Sequence, residues 1–107
     1  MPRNHLPNDF YERLSPKKEA LLQILLDIEG EWIRGVELRQ RMRDEYGLSV
    51  PEKPGAISAH QGHYTKWYSK GFSRDLINAR WTDESHQHAE YRIGDKYEDE
   101  LREYFAG

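Results

Sequence analysis

The sequence predicts an α+β domain, mainly α, in which three helices are followed by a β-hairpin and a last helix. Three observations predict it. Leucine and isoleucine recur at helical spacing after a strong capping signal, "SPKKEALLQILLDIEG". Two short alternating segments, "LINARW" and "EYRI", flank the polar tract "TDESHQHA". The chain has 107 residues, enough for one modest core.

Residues 1–7, with two prolines and few large apolar groups, read as a loose part of an N-terminal arm spanning 1–14. Asn8 or Asp9 is placed to cap a short helix through Leu14. The domain itself is expected over 15–107. Ser15 caps the first helix, and Pro16 suits its first position because the missing N–H would be unpaired there anyway. Leu21, Leu22, Ile24, Leu25 and Ile28 form a wide apolar stripe, the mark of a central core helix, and Gly30 ends it.

"EWIRG" is too short for a helix and reads as one brief strand. "GVELRQRMRDEYG" puts Leu38, Met42 and Tyr46 on one helical face and Arg39 and Arg43 on another, and Gly47 stops it. "LSVPEKPG" is a loop, because Pro51 and Pro54 disfavour helix before them. A third helix is expected over 55–70, closed by Gly71. Ile57, Tyr64, Tyr68 and Gly71 lie near one line of its wheel, flanked by His60, Gln61 and Trp67. Its opposite face holds Ser58, Ala59, Gly62, His63, Thr65, Lys66, Ser69 and Lys70. Gly62 inside a helix costs about 1 kcal/mol relative to Ala, so close approach of something outside the helix, a kink or tight packing is expected there.

A hairpin over 76–93 follows, with Ile77, Ala79 and Trp81 on one side of its first strand and Asn78 and Arg80 on the other. Asp95 is placed to cap the last helix, whose apolar side is Tyr97, Leu101, Tyr104 and Phe105.

Charge is distributed unevenly. The net −3 divides into −1 over residues 1–51, +3 over 52–81 and −5 over 82–107. From Lys53 to Arg74 there is no Asp or Glu, where average composition would place about four. That window carries Lys53, Lys66, Lys70 and Arg74. Local sign decides what a face attracts, because salt screens charges beyond about 10 Å. The acid-free stretch is the candidate binding surface.

The order of elements resembles the winged helix-turn-helix domain, in particular small regulators of the MarR and PadR kind, over roughly residues 15 to 105. "EWIRGVELRQRM" looks like the brief strand leading into the second helix. "AISAHQGHYTKWYSKGFSRDL" looks like the recognition helix, and "EYRIGDKYEDELREYF" like the returning wing strand and last helix. The resemblance implies a transcriptional regulator that reads the major groove of double-stranded DNA with helix 55–70 and touches the backbone or minor groove with hairpin 76–93. The residue types suit that task. Ser58, His63, Thr65 and Ser69 offer hydrogen bonds, Gly62 permits close approach, and Lys66, Lys70 and Arg74 attract phosphate. Arg39 and Arg43 would reach the flanking backbone, and Arg80, His86 and His88 would serve the wing. The resemblance also implies a homodimer built through the terminal helices.

The alternative is a protein-interaction module on the same fold, which would need Tyr64, Trp67 and Tyr68 exposed as a patch. Trp32, Trp67 and Trp81 are expected in the core, where a small domain needs its large apolar groups. His60 with His63, and His86 with His88, do not complete a metal motif, so neither a metal nor a cofactor is expected. No nucleophile elbow, phosphate-cradling loop or paired carboxylate site appears, so no enzyme is expected. The chain has no cysteine, no span-length apolar run and no signal-peptide core, which together predict a cytoplasmic protein without membrane contact.

Overall fold

The structure, a computed structural model, describes residues 5–50, 55–82 and 89–106. After a single 3-10 turn at Tyr11–Arg13 come α1 (Pro16–Asp27), β1 (Ile33–Arg34), α2 (Gly35–Tyr46), α3 (Gly55–Trp67), α4 (Lys70–Leu76), β2 (Ile77–Trp81), β3 (Ala89–Ile93) and α5 (Glu98–Ala106). The class is α+β and mainly helical, with one small antiparallel sheet in the order β1-β3-β2. No helix among the described residues is long and apolar enough to cross a membrane.

α1 is the core helix the stripe predicts. Ser15 accepts a hydrogen bond from the Lys18 amide, Pro16 opens the helix, and Leu21, Leu22, Ile24 and Leu25 are all buried. Its last turn unwinds through Glu29 and Gly30, both at positive φ. α2 buries Leu38 and Met42 but leaves Tyr46 exposed, and Gly47 closes it in the left-handed conformation.

The expected third helix is two helices. α3 stops at Trp67, and Ser69 starts α4 by accepting a 3.0 Å hydrogen bond from the Phe72 amide. A serine that caps forward competes with continuation of the helix behind it. Gly71, expected as the stop signal, lies in the first turn of α4. The break lets Phe72 turn inward beside Tyr64, with ring centroids 6.4 Å apart.

The N-terminal segment departs from the loose arm expected of it. Leu6 and Phe10 are buried in the core cluster, Phe10 lying between Tyr64 and Phe72. No side chain caps the 3-10 turn. Asp9 instead receives hydrogen bonds from Arg13 at 2.7 Å and from the Tyr68 hydroxyl at 2.8 Å, tying the segment to the end of α3. The Arg13 and Tyr68 bonds hold the Asp9 carboxyl below its ordinary range. Burial and Asp9 push the Tyr68 phenol up to about 12.

β1 joins the hairpin, so the sheet has three strands rather than two. β2 and β3 pair from Ile77↔Ile93 to Trp81↔Ala89, and Ile33 lies opposite Tyr91. Leu76, expected in the hairpin, ends α4. α5 begins at Glu98, three residues beyond the cap expected at Asp95. Tyr97 and Leu101 are buried within the chain's own core, Tyr97 with its ring centroid 5.4 Å from that of Phe72. They are therefore spent on the monomer core and unavailable to the expected dimer surface. Glu100 accepts bonds from the Leu6 amide and the Tyr11 hydroxyl, and Arg102 donates to the Leu26 carbonyl, fixing α5 over the start and middle of the chain.

Candidate nucleic-acid interface

The outer face of α3, the exposed side of α4 and the inner face of the hairpin enclose a groove of about 470 Å³. Its helical wall carries Ser58, Gln61, Gly62 and Thr65; Lys70, Ser73 and Arg74 follow from α4; Asn78, Ala79, Arg80, Trp81, Ala89 and Tyr91 form the sheet wall. No carboxylate lines it among the described residues.

Internal hydrogen bonds set the angle between the walls. The Gln61 side-chain amide donates to the Ile77 carbonyl at 3.0 Å, and Ser73 Oγ donates to the Gln61 carbonyl at 3.0 Å. α3, α4 and β2 are thereby joined at one point beneath the groove. Thr65 Oγ1 also donates to the Gln61 carbonyl, leaving its oxygen able to accept.

Gly62 faces open space, with nothing within 4 Å of where a Cβ would stand. No packing among the described residues demands a glycine there. Lys66, Lys70 and Arg74 are exposed and make no ion pair with another described residue. Six of the residues chosen from sequence, Ser58, Gly62, Thr65, Lys70, Arg74 and Arg80, thus line the groove, with Lys66 exposed on the helix beside it. Ser69 is exposed at the helix break, with its hydroxyl engaged as the cap of α4.

The remaining candidates are placed differently. His63 turns toward the start of α1, where Lys18 Nζ lies 2.8 Å from its Nδ1, and its ring stacks on Trp67. Lys18 itself is only 4% exposed. Burial and neighbouring lysines hold His63 below its ordinary pKa, and burial with the charges of Lys18, His63 and Lys17 lowers His60 to about 4. Both imidazoles are thus neutral at pH 7. Arg43 reaches inward and donates to the Val50 carbonyl. Arg39 is half-buried against Gly35, close to Tyr91. Glu45 pairs with Arg41.

Arg80 also differs from the open wing cation expected. It pairs with Glu90 across the strands at 2.9 Å, and its guanidinium lies 4.1 Å from the Trp32 ring centroid. Arg92 covers the same ring at 4.6 Å. His86 and His88 fall outside the described residues.

Of the tryptophans, Trp67 packs against the core, while Trp32 is half-buried under the two arginines. Trp81 is 55% exposed and stands at the rim of the groove. Alternation put it on the core side of β2, and it is on that side. The strand outruns the core: Ile77 is buried, but Ala79 and Trp81 extend beyond it. Gln61, Ser73, Asn78, Ala79, Trp81, Ala89 and Tyr91 are the lining residues that sequence reasoning missed. Only the polar flank of the helix wheel signalled any of them, through Gln61.

Comparison with protein-family models, with curated proteins and with solved structures gives no match for this chain.

Proposed function

We propose that the chain is a winged-helix DNA-binding protein, a transcriptional regulator that lays α3 in the major groove of double-stranded DNA and sets the β2–β3 hairpin against the adjoining backbone. The observation that carries this reading is the groove, free of carboxylates among its described lining residues, with Lys70 and Arg74 exposed along it and in no ion pair with another described residue. A phosphate backbone repels carboxylates and is attracted by exposed cations, and base edges need small polar groups such as Ser58 and Thr65 within reach. The order of elements and the β1-β3-β2 sheet support the same reading.

The protein-interaction alternative requires Tyr64, Trp67 and Tyr68 as an exposed patch. Tyr64 is fully buried, and the other two are half-buried against the core, so the reading gains nothing from them.

The test is binding to random-sequence duplex DNA as salt is raised. Affinity should fall steeply, and the log–log slope should lessen by about one for each of Lys66, Lys70 and Arg74 replaced by alanine. Folded protein that binds no duplex at low salt, or a triple variant with an unchanged slope, sinks the proposal.

A further inference from the structure

Two arginines share one tryptophan beside the hairpin. The Arg80 and Arg92 guanidiniums lie 4.1 and 4.6 Å from the Trp32 ring centroid. Like charges this close repel unless something of opposite sign offsets them. Glu90, the one acidic residue of the three strands, pairs with Arg80. Arg92 is exposed and makes no ion pair with another described residue.

Arg92 is nonetheless held in place. Its Nε donates to Asn78 Oδ1 at 3.0 Å, and the Trp32 ring lies under its central carbon. Asn78 Nδ2 in turn donates to the Arg74 carbonyl at 2.8 Å. The register sets Arg92 opposite Asn78 at the base of the hairpin, so strand pairing itself makes this contact. Arg74, Asn78 and Arg80 all line the groove. Arg92 stands where that wall continues across β2 onto β3.

We infer that Arg92 is a further phosphate contact of the duplex, carrying the cation track of Lys70 and Arg74 across β2, with Asn78 and Trp32 as the residues that position it. The inference rests on the DNA reading of the groove and adds a contact to it.

With Nε taken by Asn78, the two terminal nitrogens of the guanidinium remain, and they donate to no other described residue. They form the fork that meets two oxygens of one phosphate. A lysine would offer a point charge and no plane to lay on an indole. Because Arg92 is ordered before anything binds, capturing a phosphate costs little of the rotamer freedom that a loose surface arginine would lose. Arg80 does not serve on the same terms, since Glu90 already offsets its charge.

The surroundings select the occupant. Through Asn78, Arg92 joins a groove with Lys70 and Arg74 exposed and no carboxylate among its described lining residues. A lone carboxylate would engage one of these cations, whereas successive phosphates of one duplex engage several at once.

The test measures binding to a random-sequence duplex as salt is raised, for the full chain and for Arg92→Ala and Arg92→Lys. Circular dichroism confirms the fold of each. Arg92→Ala should lessen the log–log slope by about one and weaken binding at low salt by about tenfold. Arg92→Lys keeps the charge, so its slope should stay near wild type while affinity still falls, because the fork and the stack are lost. If Arg92 does no more than cover Trp32, Arg92→Ala leaves slope and affinity unchanged, and that overturns the inference. The duplex reading then survives if Lys70→Ala and Arg74→Ala still lessen the slope. An Arg92→Lys chain that binds as tightly as wild type overturns the positioning given to Asn78 and Trp32. A folded wild-type chain that binds no duplex removes the inference and the DNA reading together.

Discussion

Gly94 meets the backbone of the preceding helix more closely than any side chain would allow. A Cβ built there lies 1.8 Å from the Asp75 carbonyl oxygen, and the Gly94 amide donates to the Leu76 carbonyl at 3.0 Å. The end of β3 is thus pressed onto the α4–β2 junction that also shapes the groove. Backbone atoms cannot step aside as a flexible side chain can, so Gly94→Ala should lower stability by about 3 kcal/mol or more, measured by chemical denaturation. A loss below 1 kcal/mol would show that the junction is not packed this way. His60 makes a second residue-level prediction. Its pKa is depressed from 6.5 to about 4, chiefly by burial and then by Lys18, His63 and Lys17. The unfolded chain takes up a proton near pH 6.5 while the folded one resists until about 4, so the contribution is complete above 6.5 and drains away as pH falls through that window. The charged groups facing the imidazole are cationic, so the sign is not in competition. The lowered carboxyls of Asp9 and Glu45 act at lower pH. His60→Gln should therefore flatten the stability profile between pH 6.5 and 4 relative to wild type, and parallel profiles would refute the assignment.

Among the elements, the split between α3 and α4 was the one the sequence concealed. Helical periodicity runs on from Ile57 through Tyr64 to Tyr68, and Gly71 offers a plausible stop. What ends α3 is Ser69 acting as a forward cap, and such a cap shows its value only when Phe72 has a core to enter. The N-terminal segment misled for a related reason: Leu6 and Phe10 are isolated apolar residues with no periodicity of their own, and only the cleft beside Tyr64 and Phe72 gives them burial. By contrast α1, β1 and α2 were legible almost to the residue, because Ser15–Pro16 and Gly47 are local signals that act without tertiary help. α3 itself carries a prediction with two readouts. Gly62 has open space about it, so Gly62→Ala should stabilise the chain by about 0.5–1 kcal/mol through helix propensity. The added methyl enters the groove, and duplex affinity should fall while stability rises. If both rise together, the glycine does not serve close approach.

For the molecule as a whole, charge is arranged by face more clearly than the net −3 suggests. The acidic residues of α5 are partly taken into structure, Glu100 by the N-terminal segment and Glu98 by Arg102. The cations of α3 and α4 are left exposed. This much of the site was readable from the missing acids between Lys53 and Arg74. What could not be read was which cations would be claimed internally, because Arg43 and Arg80 find Val50 and Glu90 only once the following loop and the hairpin close, and Lys18 finds His63 only once α1 and α3 meet. The most direct measurement is a titration of the isotopically labelled chain with duplex DNA, following backbone amide shifts by NMR. Changes should cluster on Ser58, Gly62, Thr65, Lys70, Arg74 and the Ala79–Trp81 segment, leaving α2 and α5 unmoved. Shifts gathered on α5 and the N-terminal segment, with the groove silent, would contradict the proposed interface.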